Sequence, residues 1–290
     1  MPISSFALVV LAAIAHASWN LLAKRAASVG APFVFAYNLV SCVAYAPWAL
    51  WLVARGALPL GWPVFACIVA SGLIHLAYSL ALQRGYQLAD LSVVYPVARG
   101  TGPMLSAVGA FLLLGERPSY VRIAGLAAVV IGIALIATDG RLNGFARPEA
   151  RDGIRWGGAT GALIAGYTIV DAWGVKALLI PPVVLDWCAN TTRFVLLAPA
   201  IVRNRRSAIG AMCGYWPLAI AVGLLSPLGY ILVLGALSLG APLSIVAPAR
   251  EMSMMLGALF GMVILRERVG AARLAGCAVL LGGVVLLGSS

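Results

Sequence analysis

The feature that most constrains this chain is its succession of long uncharged runs. A helix needs about 20 mostly apolar residues to cross a bilayer. By that measure ten runs qualify: roughly 3–23, 32–54, 63–82, 91–114, 120–137, 157–177, 182–202, 214–236, 242–265 and 269–288. Connections are mostly under ten residues, and the longest covers about 138–156. No stretch is left over for a separate soluble domain, so the expected fold class is an all-α membrane protein of ten transmembrane helices.

Composition bears on which partners are plausible. The 290 residues are 62% hydrophobic, well above the roughly half-apolar norm of soluble domains, and carry a net charge of +11. The positive charges are spread over the ends of the runs, with no long basic patch and no interleaved aromatics, so no nucleic-acid partner is expected. They read as topology signals beside anionic lipid. Cys42, Cys67, Cys188, Cys213 and Cys277 lie in or near apolar runs without metal spacing and read as small buried hydrophobes. Nothing in the chain calls for a metal or a cofactor. The start lacks the positively charged region of a signal peptide, so the first span is expected to be retained.

The chain repeats itself. At an offset of 151, residues 98–139 match 249–290 at 14 of 42 positions, including Ala98-Arg99 with Ala249-Arg250, Glu116-Arg117 with Glu267-Arg268, Arg122 with Arg273 and Gly125 with Gly276. At an offset of 152, "LSVVYP" (91–96) matches "LSIVAP" (243–248), and Lys24 matches Lys176. Two units of five spans follow: 1–140 and 156–290, joined by a loop at 141–155. An odd span number turns the second unit over, which makes an inverted repeat around a central cavity.

The charges agree with an inversion. Lys24, Arg25, Arg84, Arg141, Arg147, Arg151, Arg155, Arg203, Arg205, Arg206, Arg266, Arg268 and Arg273 fall on one side, and Arg55, Arg117, Arg122 and Lys176 on the other. The 13-to-4 bias predicts that the basic side is cytoplasmic and that both termini lie outside.

Two proline–arginine strings, "VVYPVARG" (93–100) and "SIVAPARE" (244–251), interrupt apolar spans. In a helix, Pro96 and Pro248 leave the carbonyls of Ser92 and Ser244 without donors, and such backbone is tolerated at membrane depth only beside protein or a water-filled cavity. Both prolines are expected to open their helices. Arg99 and Arg250 follow within a turn, where an arginine costs about 3 kcal/mol. Arg193 adds a third, against Asp171, Asp186 and Glu251 at similar depth. These charges read either as a structural ion-pair network or as the lining of a binding cavity. Because Glu251 adjoins Arg250 while Gly100 adjoins Arg99, Arg99 is expected to be the less compensated arginine.

Other polar residues fall on helix faces. His16, Trp19 and Asn20 share one face of span one; His75, Tyr78 and Ser79 share one of span three. With Arg99 and Arg250 these form the expected substrate-binding set, and Tyr95 and Trp187 join Trp19 and Tyr78 as aromatics that could pack an apolar portion. Asp171, Asp186 and Glu251 are the candidates for proton coupling. Trp48, Trp51, Trp62 and Trp156 read as interfacial anchors.

Catalytic motifs are missing. Asp171 and Asp186 sit in successive spans, but without the Gly-x-Gly-Asp context of an intramembrane aspartyl protease; there is no HExxH, GxSxG or P-loop. The reading is therefore not an enzyme but an alternating-access carrier. The ten spans in two fives, the Pro–Arg strings, "GER" (115–117) and "RER" (266–268), the Gly-rich last span and "HASWNLLAKRA" (16–26) resemble the drug/metabolite transporter superfamily, specifically its EamA-like branch. That resemblance implies a basket of ten helices round a central cavity and transport of small metabolites, often export of amino acids. The expectation is a secondary active transporter of small polar metabolites, amino acids or related organic anions, acting as an exporter. An importer of an organic anion such as a phosphonate and a flippase for a lipid-linked metabolite are the alternatives. Its partners are a small-molecule substrate and membrane lipid, its state is a monomer or weak dimer, and its location is the bacterial inner membrane.

Overall fold

The computed structural model describes residues 3–89, 91–141, 143–146, 150–264 and 270–289. Among them there is no strand. The α-helices are α1 (Ile3–Arg25), α2 (Ala31–Ala54), α3 (Trp62–Leu88), α4 (Leu91–Leu113), α5 (Tyr120–Thr138), α6 (Ala150–Lys176), α7 (Pro182–Arg203), α8 (Arg205–Ala211), α9 (Trp216–Ser238), α10 (Leu243–Ala249), α11 (Met252–Ile264) and α12 (Ala271–Gly288). Arg147, Arg266, Glu267 and Arg268, used in the charge count and the repeat, lie outside the described residues.

Among the described residues, seven segments are long and apolar enough to cross a membrane: α1, α2, α3, α5, α9, α12 and the stretch Leu243–Phe260 that joins α10 to α11. The other three of the ten runs are α4, α6 and α7, of 23, 27 and 22 residues. They have the length but not the uniform apolarity, because they carry Arg99, Asp171, Asp186, Asn190 and Arg193, all of them turned inward. The outer surface is apolar: Leu112 is 77% exposed, Val43 65% and Val285 61%. Continuous exposed apolar area of this kind marks a surface that meets lipid. The protein is an integral membrane protein.

Boundaries differ from the sequence reading in two places. α6 starts at Ala150, so the end of the expected 141–155 loop is helical; charged residues continue a helix into water without cost, and Asp152 and Arg155 face each other there at 3.7 Å. The short α8 is an extra element, basic at its start. Cys213, expected to be buried, is exposed because it falls in the turn after α8. Trp48, Trp51 and Trp62 are exposed, and Arg55 lies over the Trp51 ring at 5.3 Å.

Most of the helix contacts recur when the two halves are exchanged, although α7 on α9 and α6 on α9 have no comparable counterparts. α1 packs on α9 and α3 on α6; α4 on α6 and α1 on α11; α2 on α9 and α3 on α7; α4 on α5 and α11 on α12. α2 meets α7, α4 meets α10, and α5 meets α12. On the last interface four glycines let the backbones touch. A Cβ at Gly132 would lie 2.8 Å from the Gly276 carbonyl, and one at Gly125 would lie 3.0 Å from that of Gly283. As the residue number rises on α5 the partner's number falls on α12, so these two helices are antiparallel.

Two cross-half caps hold helix starts. Glu116, just past α4, accepts from Leu243 N at 2.6 Å, Ser244 N at 3.0 Å and the Ser244 hydroxyl at 2.5 Å, and Lys176 Nζ stands 3.5 Å away. Asp139, just past α5, accepts from Arg273 N at 3.2 Å. Both satisfy N–H groups that a helix start leaves without partners.

Candidate functional site

The two proline–arginine strings behave differently. α4 runs through Pro96 and Pro103 unbroken, contrary to the expectation that both strings open. α10 ends at Ala249, directly after Pro248, and α11 starts at Met252, with Arg250 and Glu251 between them. Across this break Glu251 N donates to Pro248 O at 3.0 Å and Ser253 N to Arg250 O at 3.1 Å, so the turn tightens to three-residue spacing. Beyond Pro96 in α4, the Thr101 hydroxyl donates to Val97 O at 2.6 Å. Counted from the prolines, at the 152-residue offset, its counterpart is Ser253, which also carries a hydroxyl.

The break decides the ion pairing. Arg99 Nη2 lies 2.9 Å from Glu251 Oε2, across from α4, while Arg250 Nε stands 3.6 Å from Glu251 Oε1. Arg99 is therefore the better compensated of the two, a correction to the sequence expectation. On a regular helix adjacent residues do not share a face; the tightened turn removes that restriction. Arg99 Nη2 also reaches the Ser253 hydroxyl at 3.5 Å, and the Tyr95 ring lies 6.0 Å from its guanidinium carbon. His16 is within electrostatic reach of both arginines.

A second node forms around Asp171, which is fully buried. The Tyr230 hydroxyl donates to its Oδ2 at 2.5 Å, and His75 Nε2 stands 4.0 Å from the same oxygen. The other ring nitrogen of His75 faces Ser71 O at 2.9 Å. Tyr167 stacks on His75 with centroids 4.0 Å apart and meets Tyr78 edge-on at 5.6 Å. Tyr167 also lies within reach of Arg99 and Arg250, so it joins the first node to the second.

The third node is on α7. Asn190 Nδ2 donates to Asp186 Oδ2 at 2.8 Å, and Arg193 Nη2 donates to Asn190 Oδ1. One amide thus bridges an acid and an arginine about two helical turns apart. The Arg193 charge is felt at Asp171 and His75.

Of the residues expected to bind substrate, Arg99, Arg250, Tyr95, Tyr78, His75 and His16 converge. The Trp19 indole N–H donates to His16 Nδ1 at 3.3 Å, so Trp19 positions that ring. Three others spend their donors locally. Asn20 is exposed and donates to His16 O at 2.7 Å, Ser79 donates to His75 O at 2.9 Å, and the Trp187 indole donates to Cys42 O at 2.9 Å. Tyr230 and Ser71 belong to the cluster but were not singled out by sequence. A signal existed for Tyr230, which lies 152 residues after Tyr78, the repeat's own offset.

The cluster is not internally satisfied. Among the described residues, eight buried side-chain polar atoms have no hydrogen-bond partner. Six belong here: Arg99 Nε, Arg193 Nε, Arg250 Nε, Asp171 Oδ1 and both Glu251 oxygens. The Arg99–Glu251 contact is close in distance yet misaligned for a hydrogen bond. Buried polar groups are nearly always bonded, so a concentration of exceptions calls for a ligand-handling explanation.

Residues 3–138 match the family model described as the EamA-like transporter family. The resemblance seen in the sequence holds over that segment, which ends at the last residue of α5. No curated protein matches the chain. Among solved structures, one titled "Crystal structure of protein" superposes with a TM-score of 0.75 at 19% identity, covering 99% of this chain and 96% of its own. At that identity the likeness concerns the fold alone.

Proposed function

We propose, for a membrane protein whose first half is EamA-like, that the chain is a secondary active transporter of small polar metabolites, amino acids or related organic anions, working by alternating access. The observation that carries this is the buried cluster itself. Three arginines and three acids turn inward from α4, α6, α7 and the α10–α11 break, and six of their atoms lack partners. A purely structural ion-pair network would satisfy its members, because half-satisfied buried charge is costly. A guanidinium offers a planar fork suited to carboxylate or phosphate, so a substrate bearing one of these fits the unsatisfied donors. Export is the proposed direction, and the bacterial inner membrane the proposed location, with the protein acting as a monomer or weak dimer.

The proposed architecture is ten spans in two inverted units, 1–140 and 156–290. The helix contacts that recur on exchanging the halves support it, as does the antiparallel crossing of α5 and α12, which correspond to each other in the repeat. Parallel halves would make those two helices run the same way. The family match, ending at residue 138, supports the unit boundary.

The test is transport in proteoliposomes with a panel of labelled amino acids, carboxylates and phosphonates, run as exchange against internal unlabelled substrate. Saturable exchange with at least one class is expected. A folded, reconstituted protein that exchanges none of them would overturn the carrier reading.

A further inference from the structure

We infer that Glu251 is a resident stand-in for the substrate's own acid group: it occupies the anion position between Arg99 and Arg250, and a carboxylate ligand binds by displacing it. The inference rests on the proposed carrier function and names the ligand chemistry of that site, a single carboxylate.

Three observations carry it. The first is convergence. Arg99 from one half and Arg250 from the other flank one carboxylate, at 2.9 Å and 3.6 Å, with Glu251 side-chain exposure of 1% and Arg250 of 5%. Two guanidinium groups share one carboxylate, which leaves the trio with an unmatched positive charge in a buried setting. The second is poor bonding. Both Glu251 oxygens, Arg99 Nε and Arg250 Nε are buried without hydrogen-bond partners. A charge-assisted fork normally forms two parallel bonds; here the internal acid makes neither with good geometry, so a free carboxylate able to align with the fork has an advantage over it. The third is attachment. Glu251 sits between α10 and α11, in the tightened turn where the helix is interrupted, rather than in the middle of a regular helix. A small rotation about that turn carries its carboxylate off Arg99. The displaced acid keeps a partner, because Arg250 is its chain neighbour.

The aromatic surroundings suit an acid with a flat or apolar body. Tyr95 lies under the Arg99 guanidinium, and Tyr78 and Tyr167 stand edge-on to each other within reach of it. Benzoate is therefore a fitting probe, and acetate is a probe for the carboxylate position alone.

A merely structural Glu251 and a displaceable one make opposite forecasts. If Glu251 competes with the ligand, Glu251→Gln removes the competitor and benzoate binds more tightly, by roughly tenfold for one charge-assisted contact no longer contested. In Glu251→Ala the vacated position is refilled from solution, so acetate raises the melting temperature of that variant and leaves the wild type unmoved at the same ionic strength. The acetate measurement also covers the case in which loss of Glu251 weakens the fold, because it reads the recovery of the fold itself.

The experiment is benzoate titration by thermal shift and calorimetry on purified wild type, Glu251→Gln and Glu251→Ala, with chloride as the ionic control. Tighter benzoate binding to Glu251→Gln together with acetate rescue of Glu251→Ala is the expected result. Unchanged or weaker benzoate binding in a folded Glu251→Gln protein overturns the inference while leaving the carrier reading in place. No benzoate or acetate response in any of the three proteins overturns the inference together with a carboxylate-carrying function.

Discussion

Ser244 gives Glu116 both of its donors, the backbone N–H at 3.0 Å and the hydroxyl at 2.5 Å, across the boundary between the two halves. The carboxylate caps α10, the short helix that leads into the Arg250–Glu251 break, and Lys176 stands beside it, donating to Ala241 O at 2.9 Å. Glu116→Ala should lower stability by about 2 kcal/mol, the scale of a lost cap with charge-assisted bonds. Glu116→Gln, which keeps an acceptor, should lose less. Thermal denaturation in detergent checks the order; equal melting temperatures for wild type and Glu116→Ala would remove the cap from the account.

The α5–α12 crossing has no room for a side chain. A Cβ at Gly132 would fall 2.7 Å from Leu280 N and 2.8 Å from Gly276 O, backbone atoms that cannot swing away. Gly132→Val should therefore cost more than the usual 1–3 kcal/mol or so of overpacking and reduce folded yield. Gly282, where a Cβ meets nothing within 4 Å, is the control. Gly282→Ala should leave stability unchanged or slightly raised. Equal yields and melting temperatures for the two variants would show that the helices do not meet as described.

Asn190 should couple Asp186 to Arg193. Removing one partner of a buried pair leaves a charge uncompensated and costs about 3–5 kcal/mol, whereas removing both is far milder. Asp186→Asn and Arg193→Gln should each destabilise strongly, and the double variant less than the sum of the singles. Additive losses in this double-mutant cycle would mean that the amide bridge carries no coupling.

Energy coupling, if protons supply it, should run through Asp171, Asp186 or Glu251, the acids inside the spans. Asp171, held by the Tyr230 hydroxyl and facing His75, is the first to examine. Asp171→Asn should abolish the response of transport to an imposed proton gradient while sparing substrate exchange. A full response in all three neutralised variants would end the proton-relay idea.

Topology is checked by labelling. In a cysteine-free background, a single cysteine at Ser289 should react with an impermeant maleimide on intact cells, and one at Asn143 should not. The reverse result would turn the molecule over.

The site was legible in its ingredients but not in its connections. Arg99, Arg250 and the three acids stood out because a charge in an apolar run is costly and therefore needs a reason. Tyr230 did not stand out, since one tyrosine in a span is ordinary; only its bond to Asp171 gives it meaning. Asn20 and Ser79 stood out by helical spacing and Trp187 as an aromatic, yet their donors go to backbone carbonyls, of their own helix for the first two and of α2 for Trp187. Spacing tells which side chains share a face, not what that face meets.

By itself the sequence determined the class of structure, an all-helical membrane protein, because that follows from a local quantity, the length of its apolar runs; matches such as Glu116-Arg117 with Glu267-Arg268 at a constant offset are likewise read directly from the chain. Partner choice among the charges was decided only by tertiary structure. Arg99 and Glu251 are 152 residues apart in the chain and 2.9 Å apart in space. Their meeting depends on one of two nearly identical proline–arginine strings breaking its helix while the other does not. Which acid Arg99 reaches is set by the packing of α4 on α10 and by where the chain turns between α10 and α11. These are properties of packed neighbours and not of either string alone.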